Sequence, residues 1–487
     1  MSVEKMLDYF AYTILWNPLL PMMFLGLGLY VTIGMRFFQF RRFGAIFEHT
    51  ILSLFRKKGA GAKEEPGFVS SFGAFATALG GTVGSGNVAG VSSAIALGGP
   101  GALFWMWISA LVGMATKMGE IILAQHYKET YPDGTSYGGC GFYVEKGLVE
   151  ERGWKWARII AWIFSISMVA TFFTGVGTFT IAESVQSAFH LSKGTTIGFC
   201  FAYTALLYVL VFGGIPRIVK FAEYVVPFMV LFYIVGGVAV ILFHGANIVP
   251  ALRDVVRYAF TPHAAVGGFA GVVVMKSFQI GVARSVYSNE AGWGSSPMIH
   301  AAAKVDHPAR QGMWGAMEVF VDTMIVCTVT GLVVLTTGIW QNGKGGAGVV
   351  ATAFGTVFGE IGPMIIALSL ILFQVTTSTG WYSYLESLIA YFSRRKTQEQ
   401  RRALIQKIRF IGPLCPLLIA LYAFWKNMMP SILWLLMDIQ TAIPVYMNLL
   451  AIVFLSPLIF RLTKEFEQKY LDRKVAIPAK ELESIGK

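Results

Sequence analysis

The stretch Gly80-Gly-Thr-Val-Gly-Ser-Gly-Asn87 decides the fold. It sits inside an apolar run with no charged residue between Glu65 and Lys117. Such a run is long enough for two bilayer-spanning helices, and the glycines fall within the first of them. Glycine is poor in a helix interior, so several together, around polar Thr82, Ser85 and Asn87, predict local unwinding. Unwound backbone at membrane depth is tolerated only where it faces a cavity or a ligand. The stretch is therefore read as a binding site. Two other readings fit less well. Gly84-x-Gly86-x-x-Ala89 matches a dinucleotide fingerprint, but that needs a preceding strand and an acid about 20 residues on. Here the flanks are apolar and the next acid is Glu120. Gly86-x-x-x-Gly90 alone would suit helix packing, but it does not account for the polar residues beside it.

Working outward, the composition agrees with a membrane protein. Of 487 residues, 55% are hydrophobic and 14% charged, whereas soluble domains carry about a quarter charged residues. The net charge of +12 comes from basic residues clustered between spans, as expected for segments facing anionic lipid; it does not imply nucleic acid. Cys140, Cys200, Cys327 and Cys415 form no CxxC pair, and the histidines show no ligand spacing. Neither a disulfide framework, a metal centre nor a cofactor is expected. The N-terminus lacks the basic region of a cleaved signal, so the first span is expected to remain.

Along the chain, the first span covers about 18–35. It is followed by basic residues (Arg36, Arg41, Arg42, Arg56, Lys57, Lys58) that place this side in the cytoplasm and the N-terminus outside. Residues 39–55 read as an amphipathic surface helix. The broken span runs over 66–97, and the next returns over 102–126 with Lys117 and Glu120 as an i,i+3 pair. Residues 127–157 read as a polar cytoplasmic loop. Three spans follow to 243, and 244–262 reads as an outer loop. The next span carries Lys276, Ser277, Gln279 and Gly281, a second candidate discontinuity. The segment 288–312 reads as too polar to span and is assigned to the cytoplasm. Further spans follow over 313–338, 364–392, 410–425 and 442–460, with a capping helix near 350–358 and a possible re-entrant piece at 430–440. This is about 11 transmembrane helices, with a cytoplasmic C-terminus. Setting the first aside leaves two groups of five whose opening spans face opposite sides, the sign of an inverted repeat. The expected divisions are 1–65, 66–243, 244–460 and 461–487.

The residue chemistry suits a small zwitterion and a cation. Backbone N–H groups at the start of a half-helix suit a carboxylate. Carbonyls that end the other half suit an ammonium or a small cation, and Asn87 offers an amide oxygen. Thr376, Thr377 and Ser378 supply hydroxyls from a separate helix, and Asp322 is the acid most readily placed near an ion. Phe172, Phe173 and Trp381 can wall a small pocket. No catalytic arrangement is evident, so an embedded enzyme is disfavoured. A channel would need an oligomeric selectivity ring.

The segments Gly81-Thr-Val-Gly-Ser-Gly-Asn-Val-Ala-Gly90 and Ser288-Asn-Glu-Ala-Gly-Trp-Gly-Ser-Ser-Pro297, with His300, Lys304 and Asp306-His-Pro308, closely resemble the alanine or glycine:cation symporter family. Phe104-Trp-Met-Trp107 through Lys117 is similar to the same family. The resemblance implies a LeuT-type fold, all-α, with a 5+5 inverted repeat and one extra N-terminal helix, in the cell (inner) membrane. It implies sodium-driven import of alanine or glycine, L- or D-, with coupling to protons or transport of another small neutral amino acid as the alternatives. Carried over by position, the implied substrate residues are Gly84, Ser85, Gly86, Asn87, Phe172, Phe173, Gln279, Ile280, Gly281, Thr377 and Trp381. The implied sodium residues are Val83, Asn87, Asp322, Thr377 and Ser378. Ser85 stands where Thr is common in the family, and Trp293 where Leu is common.

Overall fold

The structure, a computed structural model, describes residues 3–55, 69–174, 177–261, 270–343, 345–426, 428 and 430–472. The expected start of the broken span at Pro66, the basic residues 56–58 and the tail beyond 472 lie outside the described residues. Among the described residues, nine helices are long and apolar enough to cross a bilayer. Two interrupted helices stand in addition to these nine. The first is built from Ser71–Thr82, Gly86–Gly90 and Val91–Gly98. The second is Ala270–Asn289, followed by the short turn Pro297–His300.

The first interruption falls where the glycines predict it. Ser70 begins the helix, its Oγ accepting from Gly73 N at 2.8 Å and donating to Glu223 at 2.7 Å. Val83 then turns to an extended conformation (φ −71°, ψ 100°) and ends it. From Gly73 to Ser92 every residue is buried except Ser85, which is half-buried. Glycine permits close crossing by the long helix Ile361–Phe392. A Cβ on Gly380 would lie 3.0 Å from the Thr77 carbonyl oxygen and 3.1 Å from Gly81 Cα.

The second interruption differs from the expectation. The helix runs unbroken through Lys276 and Gly281 to Asn289. The break lies at Glu290–Ser296, where Glu290 (φ 55°), Gly292 (φ 79°) and Gly294 (φ 80°) adopt left-handed backbone. Ser288, Asn289, Ser295, Ser296 and His300 are fully buried, so this segment is an interior part of the protein and not an exposed loop. Polarity misled here because distant partners satisfy it. Lys117 does not pair with Glu120. Its Nζ donates to the Asn289 carbonyl at 2.8 Å, capping the half-helix, and pairs with Glu318 at 3.1 Å. Glu120 instead accepts from Asn448, which also donates to the Gly292 carbonyl at 2.9 Å.

Three other regions differ from the sequence reading. Residues 430–440 belong to one continuous helix, Pro430–Phe466, and not to a re-entrant piece. The presumed loop 127–157 holds a short hairpin, Glu129–Thr130 with Ser136–Tyr137, and the buried turns Cys140–Val144 and Glu145–Glu150. The presumed outer loop 244–262 holds the helix Ile248–Phe260.

Ahead of the bundle, the N-terminal pieces Val3–Asp8 and Tyr9–Leu15 lead into Leu19–Gly34. Here a buried ion pair ties three elements. Arg284 donates to both Asp438 oxygens, at 3.0 and 2.9 Å, while Tyr12 donates to Asp438 at 2.6 Å and Trp16 to its carbonyl at 2.8 Å. The basic segments meet in another region: Arg42 pairs with Glu467, Arg158 with Glu145, and Arg402 with Asp133.

The Lys117–Glu318 pair gives a stability test. Removing one partner of a buried ion pair typically costs about 3–5 kcal/mol, because the other charge is left uncompensated. Lys117→Met is expected to destabilise the detergent-solubilised protein by that amount, and Lys117→Met/Glu318→Leu by clearly less. Equal loss in single and double variants, read by denaturant unfolding, would contradict the pairing.

Candidate functional site

The two interruptions face each other. A Cβ on Gly86 would lie 3.1 Å from the Tyr287 ring and 3.8 Å from Ser288 Cα. Between them and the helix Ile361–Phe392 lies a cavity of about 100 Å³. The first interruption contributes Gly84, Ser85 and Gly86, the second contributes Tyr287, Glu290 and Trp293, and the long helix contributes Gln374, Thr377, Ser378 and Trp381. Phe172, at the end of Arg158–Phe173, closes one side.

The break is held open by its own side chains. Asn87 Oδ1 accepts from Gly84 N at 2.8 Å, satisfying an amide at the start of the second half-helix. The first amides of a helix lack intrahelical acceptors and carry its positive dipole end. Here that end lies on the cavity wall. The opposite half ends in carbonyls. Thr377 Oγ1 lies 3.0 Å from the Gly80 oxygen and 3.5 Å from that of Val83. Three hard oxygens thus converge where Gly84 lets the long helix approach, since a Cβ there would sit 2.9 Å from Thr377 Oγ1. Ser378 is engaged elsewhere, 2.8 Å from the Tyr203 hydroxyl and 3.3 Å from Gln374 Nε2.

Asp322 lies behind the cavity, fully buried. Its carboxylate accepts from Asn87 Nδ2 at 2.6 Å, Ser288 Oγ at 2.8 Å and Thr323 Oγ1 at 2.8 Å. It therefore joins the first interruption to the second. Asn289, next to Ser288, donates to Thr323 Oγ1 at 2.9 Å and to Ser285 Oγ at 3.0 Å.

The structure does not bring every anticipated residue to this place. Phe173 packs edge-on behind Phe172, centroids 5.4 Å apart. Gln279 donates to the Trp16 carbonyl at 3.3 Å. Ile280 packs with Ala94 and Ala102, and a Cβ on Gly281 would lie 2.5 Å from the Ala102 oxygen. These three face the N-terminal and second helices, more than two turns before the break. Conversely, Tyr287, Glu290 and Trp293 line the cavity without having been anticipated. Their signal was Gly292-x-Gly294, the same small-residue spacing that marks Gly84-x-Gly86.

Comparison with known proteins identifies the family and the fold. The model of the sodium:alanine symporter family matches residues 1–478. A Haemophilus influenzae protein described as an uncharacterized transporter is 35% identical over 475 residues, 96% of this chain and 97% of that protein. The sodium/alanine symporter AgcS of Methanococcus maripaludis is 33% identical over 462 residues, 93% of this chain and 95% of its own. Among solved structures, MhsT in complex with L-phenylalanine matches with a TM-score of 0.57 at 12% identity, covering 82% of this chain and 99% of that one. At that identity the likeness speaks to the fold alone, and it is the LeuT-type fold.

Asp322→Ala strands three buried donors at once. Hydrogen bonds to a charged group are worth about 1.5–3 kcal/mol each, so a loss near or above 3 kcal/mol is expected. Thr323→Ala, which removes one donor to Asp322 and one of the two acceptors of Asn289, is expected to cost less. Comparable thermal shifts for the two variants would argue against Asp322 as the link between the interruptions.

Proposed function

This chain belongs to the sodium:alanine symporter family and is a cation-coupled amino acid transporter, not an enzyme, and we propose that it imports alanine or glycine with sodium. The observation that carries the reading is the pair of unlike half-helix ends on one small cavity. The amide end at Ser85 and Gly86, beside the Gly84 amide that Asn87 satisfies, receives the substrate carboxylate. The Gly80 and Val83 carbonyls with the Thr377 hydroxyl form an oxygen set suited to a hard monovalent cation; Ser378 adjoins it. Asn87 and Asp322, one hydrogen bond behind the wall, mark a second cation position. Phe172, Trp381 and Trp293 wall the cavity, and this aromatic enclosure favours a small neutral side chain. Gln279, Ile280 and Gly281 take no direct part.

Transport proceeds by alternating access. Cation and amino acid bind together between the interruptions, and the two broken helices with their partners rock against the rest. The protein is a multi-pass protein of the cell (inner) membrane with its N-terminus outside. That orientation is supported by the basic segments, Arg41 and Arg42 with Arg394, Arg395 and Arg402, which belong on the cytoplasmic side.

Uptake of alanine into proteoliposomes under an inward sodium gradient, with potassium and proton gradients as controls, tests the coupling. Accumulation with sodium alone is expected; accumulation driven by protons alone would replace the coupling ion. Ser85→Trp should abolish uptake by filling the cavity, and Asn87→Ala should weaken sodium dependence. Unchanged sodium dependence in both would refute the site.

Trp293 sets the size limit in this reading. Its indole stands 5.2 Å from the Trp381 ring and 5.9 Å from that of Tyr287. Trp293→Ala is expected to let larger neutral amino acids compete with alanine at least tenfold better. An unaltered competition profile would remove Trp293 from the selectivity boundary.

A further inference from the structure

The cavity wall carries one carboxylate, Glu290, and no other Asp, Glu, Lys, Arg or His among its lining residues. Glu290 is 2% exposed. Ser295 Oγ donates to it at 2.6 Å. Among the described residues it takes part in no ion pair. Lys117, which caps the adjacent Asn289 carbonyl, is engaged with Glu318. Asp322 is satisfied by neutral donors. The charged groups that Glu290 feels are Lys117, Glu318 and Asp322. Lys117 is thus shared among Glu120, Glu290 and Glu318, and Glu290, with which it forms no ion pair, opens on the cavity.

A buried carboxylate without a counter-ion is costly. A cationic occupant relieves that cost, and the relief appears as affinity. A non-glycine residue in the left-handed region is strained, and Glu290 sits there (φ 55°) on the open turn. Gly86 touches Tyr287 and Ser288, so the amide end of the first interruption and Glu290 face the same small space from opposite segments.

We propose that Glu290 is the ammonium-binding residue of the cavity, its partner being the α-ammonium of the amino acid, while the coupling ion keeps the oxygen set of Gly80, Val83 and Thr377. The inference rests on the amino acid reading above and adds an orientation to it. The substrate lies with its carboxylate on Ser85 and Gly86 and its ammonium across the cavity on Glu290, so that each end of the zwitterion meets one interruption. Closure of the two segments on each other is then favoured by a substrate carrying both charges. The other cation that could meet the same carboxylate is the coupling ion, and the experiment separates the two.

The full-length protein in detergent is titrated with alanine at saturating sodium, and with sodium in the absence of amino acid, following tryptophan fluorescence and thermal stability. Propionate, which is alanine without its ammonium, serves as the competitor. Wild type is expected to prefer alanine over propionate at least a hundredfold. Glu290→Gln should weaken alanine at least tenfold, narrow that preference, and leave the sodium midpoint within twofold. Glu290→Asp, which keeps the charge on a shorter stem, should fall between the two. A tenfold rise in the sodium midpoint without amino acid would overturn the ammonium assignment and give Glu290 to the ion. Alanine and sodium midpoints both within twofold of wild type in Glu290→Gln would overturn the proposal. So would equal competition by alanine and propionate in the wild type, a readout that needs no variant to fold. A wild-type protein indifferent to alanine and glycine refutes the substrate reading instead, and the same comparison run with the amino acid that does stabilise it then decides Glu290.

Discussion

The Asp322 carboxylate accepts one hydrogen bond from each interrupted helix, through Asn87 and Ser288, and the rest of the structure depends on that junction. Two breaks in an apolar interior leave amides and carbonyls that water cannot reach, and each must find a partner. The first break is satisfied from within, by Asn87 on Gly84. The second draws on distant helices, with Lys117 on the Asn289 carbonyl and Asn448 on that of Gly292. Asp322 makes the two solutions one. A shift at either break changes the hydrogen bonding of the other, which is the minimum wiring for co-binding of two unlike solutes.

Much of the architecture was legible in the sequence, because hydrophobic length and glycine clustering act locally. The first interruption follows from its own glycines, and the aromatics Phe172 and Trp381 announced a wall; that Thr377, among the hydroxyls of 376–378, is the one that reaches the broken backbone was implied only by the resemblance. The second interruption was misplaced by roughly two turns. Lys276 and Gln279 looked costly inside a membrane helix, but Gln279 finds the Trp16 carbonyl on the N-terminal helix. Ser288–Pro297 looked too polar to be interior, but its partners stand far away in sequence, at 117, 322, 323 and 448. The i,i+3 spacing of Lys117 and Glu120 likewise said nothing of tertiary partners. Polarity measures the cost of burial only until the pairing is known.

The N-terminal helix is more than an addition to the bundle. Tyr12 and Trp16 both bond to Asp438, which also takes the two-pronged contact from Arg284 on the second interrupted helix. A bidentate guanidinium–carboxylate contact is directional as well as strong. The helix that leads into Glu290 and Trp293 is thereby referenced to the N-terminal segment and to Pro430–Phe466.

The crossing of Gly81 and Gly380 has a mechanical meaning. Backbone lies against backbone there, with no room for a Cβ. Most helix pairs are keyed, ridge into groove, and slide only by lifting side chains out of register. A contact made of bare main chain has no keys. It resists separation through close van der Waals contact and leaves the setting of register to its neighbours, Thr377 on the Gly80 carbonyl and Tyr384 beside Gly81. Where the first interrupted helix crosses Ile361–Phe392, the molecule has a bearing pinned on both sides.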